Sequence, residues 1–173
     1  MELVRAFVNT YAVDLGTDEL DTRGAWHRWL VNRGLLPAGA RLPTEPERQR
    51  ALALREALRG LLGAHNGLEP EAGAPALLAG AADRAKLTLR FEPDGSGRLE
   101  PTATGFDAAL GRIVAAAYQA QSDGTWPRLK TCHDETCRWS FYDSSKNGSR
   151  TWCNMDVCGN RCKVRLFRAR ALS

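Results

Sequence analysis

Cys132-His133-Asp134-Glu135-Thr136-Cys137 and, fifteen residues later, Cys153-Asn154-Met155-Asp156-Val157-Cys158 decide how the C-terminal part of this chain folds. Each pair holds four residues between its cysteines, so two compact turns deliver four thiolates. Tetrahedral zinc, with sulfur at about 2.3 Å, asks for such a supply and is left with no open position. All five cysteines fall between residues 132 and 162. The start Met1-Glu2 leads into no basic stretch with an apolar core, so no secretory leader is expected. In that setting the clustering reads as metal binding before it reads as disulfides or free buried thiols. His133 lies inside the first turn, where a complete cysteine set leaves it unneeded as a ligand.

Between the pairs, Trp139-Ser140-Phe141-Tyr142 reads as a strand, Ser144-Ser145-Lys146-Asn147-Gly148 as a turn and Ser149-Arg150-Thr151-Trp152 as a returning strand. That hairpin would carry the second pair back to the first. Asn160 stands where it can cap a last helix running through Arg170. Cysteine turn, hairpin and helix make a treble-clef-like finger. A module of 48 residues, 126–173, has little core of its own, and a structural metal is the usual remedy. Zinc contributes roughly 10–16 kcal/mol to comparable modules, so folding here is expected to be coupled to one zinc ion.

Upstream the signals are mainly helical. Asp21 and Thr22 can cap a helix running to about Arg33 with Gly34 as its stop, and Trp26, Trp29 and Leu30 repeat at helical spacing. Thr44-Glu45-Pro46-Glu47 is a capping-box start, and Ala51, Leu54, Leu58, Leu61 and Leu62 follow on one stripe as far as Asn66-Gly67. A shorter helix is expected near residues 76–82. Leu87, Leu89 and Phe91 alternate with polar residues, the mark of a half-buried strand, and Pro93-Asp94-Gly95-Ser96-Gly97 turns it back through Arg98-Leu99-Glu100. Phe106, Leu110, Ile113, Val114, Ala117 and Tyr118 mark another helix. Phe7-Val8-Asn9-Thr10 fits strand or helix. The fold class is therefore α+β: a mostly helical domain over residues 1–125 with a small β-hairpin, then the finger over 126–173.

Charge divides at the same place. The chain of 173 residues is 43% apolar and 25% charged, with a net charge of +4. Residues 126–173 hold 10 basic and 4 acidic residues, a net of +6, and the rest of the chain carries −2. A basic end on a mildly acidic body suits a polyanion. Four thiolates and a zinc dication take two charges away, leaving the finger +4. Of the basic residues 20 are arginine and 4 lysine, a skew that codon bias would also produce. No apolar stretch approaches the roughly 18 residues that span a bilayer, so the expected protein is soluble, cytoplasmic and off the membrane.

The residues also carry a resemblance. Cys132-x4-Cys137, Phe141-x-Asp143-x-Ser145-Lys146-Asn147 and Ser149-Arg150-x-Trp152-Cys153-x-Met155-x2-Cys158-Gly159-Asn160-Arg161-x-Lys163 resemble the CGNR zinc finger over about residues 129–170. Phe7-Val8-Asn9-Thr10, Trp29-Leu30 with Gly34-Leu35, and the helix from Thr44 resemble the ABATE domain that precedes that finger. The resemblance implies Cys132, Cys137, Cys153 and Cys158 as zinc ligands in a stress-linked, DNA-binding transcription regulator. The chain departs from the pattern at Cys162, a fifth thiol, and at Thr151, where a second basic residue is common.

Arg161, Arg165 and Arg168 fall at helical spacing as one cationic stripe, with Lys163 and Arg170 as a second row. Val164 and Phe167 are expected to face inward against Trp139 or Trp152. With Lys146 at the hairpin tip and Arg150 on the returning strand, these cations can hold DNA phosphates, and an arginine in the major groove can read guanine. The bland reading of the same arginines is a solvated face that pairs with carbonyls or zinc thiolates, Arg161 above all. Asp143 reads as a turn former with Ser145. His27 and His65 read as surface or partly buried positions. The tryptophans read as core, with Trp126 either core or stacking platform. Cys162, four residues after Cys158, is either a small buried hydrophobe or a thiol that oxidation pairs with a ligand cysteine.

The leading expectation is a zinc-dependent DNA-binding regulator whose body takes a small-molecule effector or forms a homodimer. The alternative is a zinc-shaped module for a protein or RNA partner. No nucleophile with an adjacent base, phosphate loop or HExxH motif is present, so no enzyme is expected.

Overall fold

A computed structural model describes residues 1–171, apart from the side chains of Leu166, Arg170 and Ala171. Arg170 in the second basic row therefore lies outside the described side chains. The elements run α1 (Glu2–Val8), β1 (Tyr11–Ala12), β2 (Thr17–Asp18), α2 (Arg23–Asn32), α3 (Glu45–Ala64), α4 (Ala74–Ala85), β3 (Leu87–Phe91), β4 (Gly97–Pro101), α5 (Gly105–Ser122), β5 (Leu129–Thr131), β6 (Ser140–Tyr142) and α6 (Asn160–Ala171). Three separate antiparallel pairs, β1–β2, β3–β4 and β5–β6, make up the described sheet. No described helix is long and apolar enough to cross a membrane.

Local chemistry sets the helix ends. Thr22 accepts from the Ala25 amide to start α2, and Gly34 (φ +66°) turns the chain out of it. At α3 the Thr44 and Glu47 side chains take each other's backbone amides, a complete capping box. The apolar stripes of α1, α2, α3 and α5 then meet in one core. Phe7, Trp26 and Trp29 form its aromatic centre, with ring centroids 5.6–5.9 Å apart. Gly111 lets α5 lie close on α4: a Cβ there would stand 2.3 Å from that of Ala85.

The structure settles one open expectation about the body and revises another. Phe7 and Val8 belong to helix α1, whose last turn buries both beside Val4. Within β3 only Leu87 is sheltered, whereas Leu89 is exposed and Phe91 is 70% exposed. Their side chains lie over Gly97 of the neighbouring strand, because α5 packs on β4 and leaves the far side of β3 uncovered.

The finger is built onto the body. Trp126 and Leu129 are members of the main core, and the His65 ring meets Trp126 edge-on at 5.3 Å. At the end of α1, Asn9 Nδ2 donates to the Ser140 carbonyl at 2.9 Å while Asn9 Oδ1 accepts from the Ser140 amide at 2.7 Å. One side chain thus mimics a strand partner for β6. At the end of α3, Asn66 Nδ2 donates to the carbonyls of Thr131 and Thr151, and His65 Nδ1 lies 2.8 Å from that of Leu129. Arg59, buried in the middle of the body, donates to the carbonyls of Val8, Tyr11 and Arg138. Bound carbonyls of this kind leave few backbone groups unpaired where the two parts meet.

Candidate metal centre

The expected hairpin after the first cysteine pair forms with a different partner. β6 pairs with β5, which precedes Cys132, in the register Leu129↔Tyr142, Lys130↔Phe141 and Thr131↔Ser140. The first cysteine turn is therefore the tip of that ribbon, and the Cys132 amide donates to the Trp139 carbonyl at 2.9 Å to close it. Residues 149–152 form no strand. Side chains hold that return segment instead. Asp143 accepts from the amide and hydroxyl of Ser145 through Oδ1 and from the Arg150 amide through Oδ2. Lys130 Nζ, buried in the ribbon, donates to Asp143 Oδ2 at 2.8 Å and to the carbonyls of Gly148 and Arg150. Arg128 caps the carbonyls of Asp143 and Ser145. Asp143 is thus the turn former its sequence suggests, with a buried lysine the sequence does not announce. Burial works to raise its carboxyl, but Lys130, Ser145 and the Arg150 amide together hold it well below the usual range.

This loop returns the chain so that Cys132, Cys137, Cys153 and Cys158 converge, their four sulfurs all within 4.8 Å of one another. Cys137 and Cys153 sulfurs are 3.6 Å apart, and Cys153 and Cys158 sulfurs 3.7 Å. A zinc–sulfur bond of about 2.3 Å implies a tetrahedral edge of about 3.8 Å, so the sulfur spacing fits that ion. Cys132, Cys137 and Cys158 are buried, with Trp152 packed against them. The amides of Asp134 and Cys153 point to the Cys132 sulfur, and that of Trp139 to Cys137. Such N–H donors offset part of the negative charge of four thiolates. The set holds one structural zinc, and its closed coordination offers no place for an activated water.

The second cysteine turn leads into α6 by a π turn, Met155–Gly159. Asn154 caps this turn, accepting from the amides of Asp156 and Val157. Asn160, expected to be the cap, instead donates to the Asp156 carbonyl. A Cβ at Gly159 would stand 2.5 Å from the Met155 sulfur, so that exposed side chain would have to shift.

The proposed cationic stripe divides. Arg165 donates to Asp134 Oδ1 at 2.6 Å, and Arg161 Nε lies 2.7 Å from Asp134 Oδ2, a charge contact without a directed hydrogen bond. Arg161 also donates to the Cys158 sulfur at 3.4 Å. The Asp134 side chain is fully buried, while the two guanidinium-bearing side chains are 38% and 48% exposed. Burial pushes the Asp134 carboxyl up, but Arg165, Thr136 and Arg161 bring it below its ordinary value. Asp134 thereby ties the first cysteine turn to α6. Only an Asx-turn signal, Asp134-x-Thr136, marks it in the sequence.

Arg150 turns back on its own chain, donating to the carbonyls of Trp152 and Cys153 and lying 5.1 Å over the Phe141 ring. Lys146, Lys163 and Arg168 are exposed and have no protein partner among the described residues. Val164 (48% exposed) and Phe167 (74% exposed) face solvent, against the inward packing expected of them. The reason is rotational: Arg161, Cys162 and Arg165 take the side of α6 that meets the finger, so the opposite side carries Lys163, Val164 and Phe167. Trp139 is likewise partly exposed, and Trp126 belongs to the core.

Residues 2–124 match the ABATE family, described as "putative stress-induced transcription regulator", and residues 128–171 match the CGNR zinc finger. No curated protein matches the chain in sequence.

Proposed function

Since the chain belongs to the ABATE family and carries a C-terminal CGNR zinc finger, we propose that it is a zinc-dependent transcription regulator that binds DNA through the outer face of α6. The supporting observation is the division of cations just described. Asp134 and the finger's own carbonyls and sulfur occupy Arg161, Arg165 and Arg150, so these act chiefly on the fold. Lys163 and Arg168 on α6 and Lys146 on the loop are left to meet phosphates. Val164 and Phe167 between them offer apolar contact to bases, as thymine methyl groups or opened base steps require. In this reading residues 1–125 form the regulatory body, working in the cytoplasm without an enzymatic step. A cavity of about 530 Å³ lined by Leu35, Leu36, Thr104, Gly105, Ala108 and Arg112 supports a small-molecule effector there. The uncovered Leu89 and Phe91 support a homodimer.

The second reading, a zinc-shaped module for a protein or RNA partner, draws on the same exposed Val164 and Phe167 together with Met155 and Val157. Selection of bound genomic DNA with zinc-loaded full-length protein separates the two. Enriched sites are expected for the native chain and none for Cys153→Ser. Affinity should fall with salt by about 0.9 log units per phosphate contact, and Lys163→Ala and Arg168→Ala should each flatten that slope by about one contact without loss of thermal stability. Equal enrichment by Cys153→Ser, or a tight protein or RNA partner with no retention of DNA, would overturn the DNA reading.

A further inference from the structure

Beside the zinc site, between the first cysteine turn, the return loop and α6, lies a cavity of about 550 Å³ lined by His133, Glu135, Thr151, Trp152, Cys162 and Arg165. That volume suits a small molecule. Its walls carry complementary chemistry. Trp152 forms an apolar side. Glu135 is exposed and has no cationic partner among the described residues. Arg165, already bonded to Asp134, also donates to the Cys162 sulfur at 3.2 Å. Cys162 stands outside the group of four sulfurs, so zinc does not engage its thiol.

We infer that this cavity is a thiol-exchange site for low-molecular-weight disulfides of the amino-acid type, with Cys162 as the residue modified. An amino-acid disulfide brings an ammonium for Glu135, a carboxylate for Arg165 and an apolar middle for Trp152. Arg165 sets a positive charge beside the sulfur that attacks, 3.2 Å away. In the exchange the Cys162 sulfur, its proton given to solvent, bonds to one sulfur of the ligand as the ligand's own S–S bond breaks. The electron pair leaves on the second sulfur, which takes up a proton from water. Cys162 ends oxidised as a mixed disulfide, and half of the ligand ends reduced to a thiol. The adduct occupies the place where Arg165 bridges Cys162 and Asp134, so exchange loosens α6 from the first cysteine turn while the four zinc ligands stay intact.

The test treats zinc-loaded full-length protein with cystine or with uncharged bis-hydroxyethyl disulfide, locates the adduct by peptide mass mapping and follows zinc with a chelating dye. Cystine should label Cys162 before zinc is released, and roughly tenfold faster than the uncharged disulfide, as two charge contacts would provide. Glu135→Gln, on the surface, should slow the cystine reaction and leave the uncharged one unchanged. Cys162→Ser should keep its zinc and lose the first label. A first label on any of the four ligand cysteines, zinc release that keeps pace with labelling, or equal rates for the two disulfides would overturn the assignment.

Discussion

The buried Asp134 carboxylate holds the Arg165 guanidinium at 2.6 Å, joining the first cysteine turn to the last helix across 31 residues of chain. This carboxylate, shared by Arg165 and Arg161, thus ties these segments together in addition to zinc ligation. Asp134→Asn keeps the turn bonds with Thr136 but removes the charge. The guanidiniums are partly in water, so the loss should be about 1–3 kcal/mol, below that of a fully buried pair. Urea unfolding of the zinc-loaded protein measures it, and unchanged stability would mean the contact is incidental.

Lys130→Met should be costlier. It leaves the Asp143 carboxylate buried without a cation and frees the Gly148 and Arg150 carbonyls. A broken buried pair costs about 3–5 kcal/mol. Thermal melts with zinc present should show it, together with faster loss of metal to a chelator as the return loop loosens.

Zinc uptake should release protons. The neighbouring Cys132 sulfur and burial push the Cys137 thiol far up, and burial pushes Cys153 up to about 12, so both carry protons at pH 7 that ligation must displace. Apparent affinity should therefore rise with pH. Calorimetric titration in buffers of different ionisation enthalpy counts the protons, and a count of zero would contradict this account of the site.

In the body, Arg55 donates to both oxygens of Asp18, at 2.6 and 2.9 Å. Burial raises the Asp18 carboxyl, but Arg55 and the Leu20 amide bring it below its ordinary 3.8. A carboxylate lowered on folding stabilises fully above its unfolded value and loses that contribution as pH falls through the folded one. Asp18→Asn should cost about 2–3 kcal/mol at neutral pH. The gap from the native chain should begin to close only below about pH 4. A gap constant down to pH 2 would show that charge is not its source.

Several features were legible in the chain because they are local. The capping box at Thr44 and Glu47, the stop at Gly34 and the helical stripes depend on residues within a turn or two of one another. The two cysteine pairs are local too, since each supplies two ligands from one turn. What misled were patterns whose meaning depends on a distant partner. Leu89 and Phe91 alternate as a half-buried strand does, yet no described helix covers that side of the hairpin. The pairing of Arg161 and Arg165 with Asp134, far away in sequence, was equally invisible, though both side chains stay partly exposed.

Four thiolates at that spacing, with a basic chain around them, determined from sequence alone that this is a zinc finger appended to a helical α+β body. Tertiary structure alone decided which side of α6 faces the finger, that Lys130 closes the return loop, and that Asn9, Arg59 and Asn66 seat the ribbon on the body. The physical reason is that ligand spacing and helix periodicity are set by bonded geometry, which the chain carries everywhere. The partner of a buried charge or carbonyl is set by which segments pack together, and only the folded core brings those segments within reach.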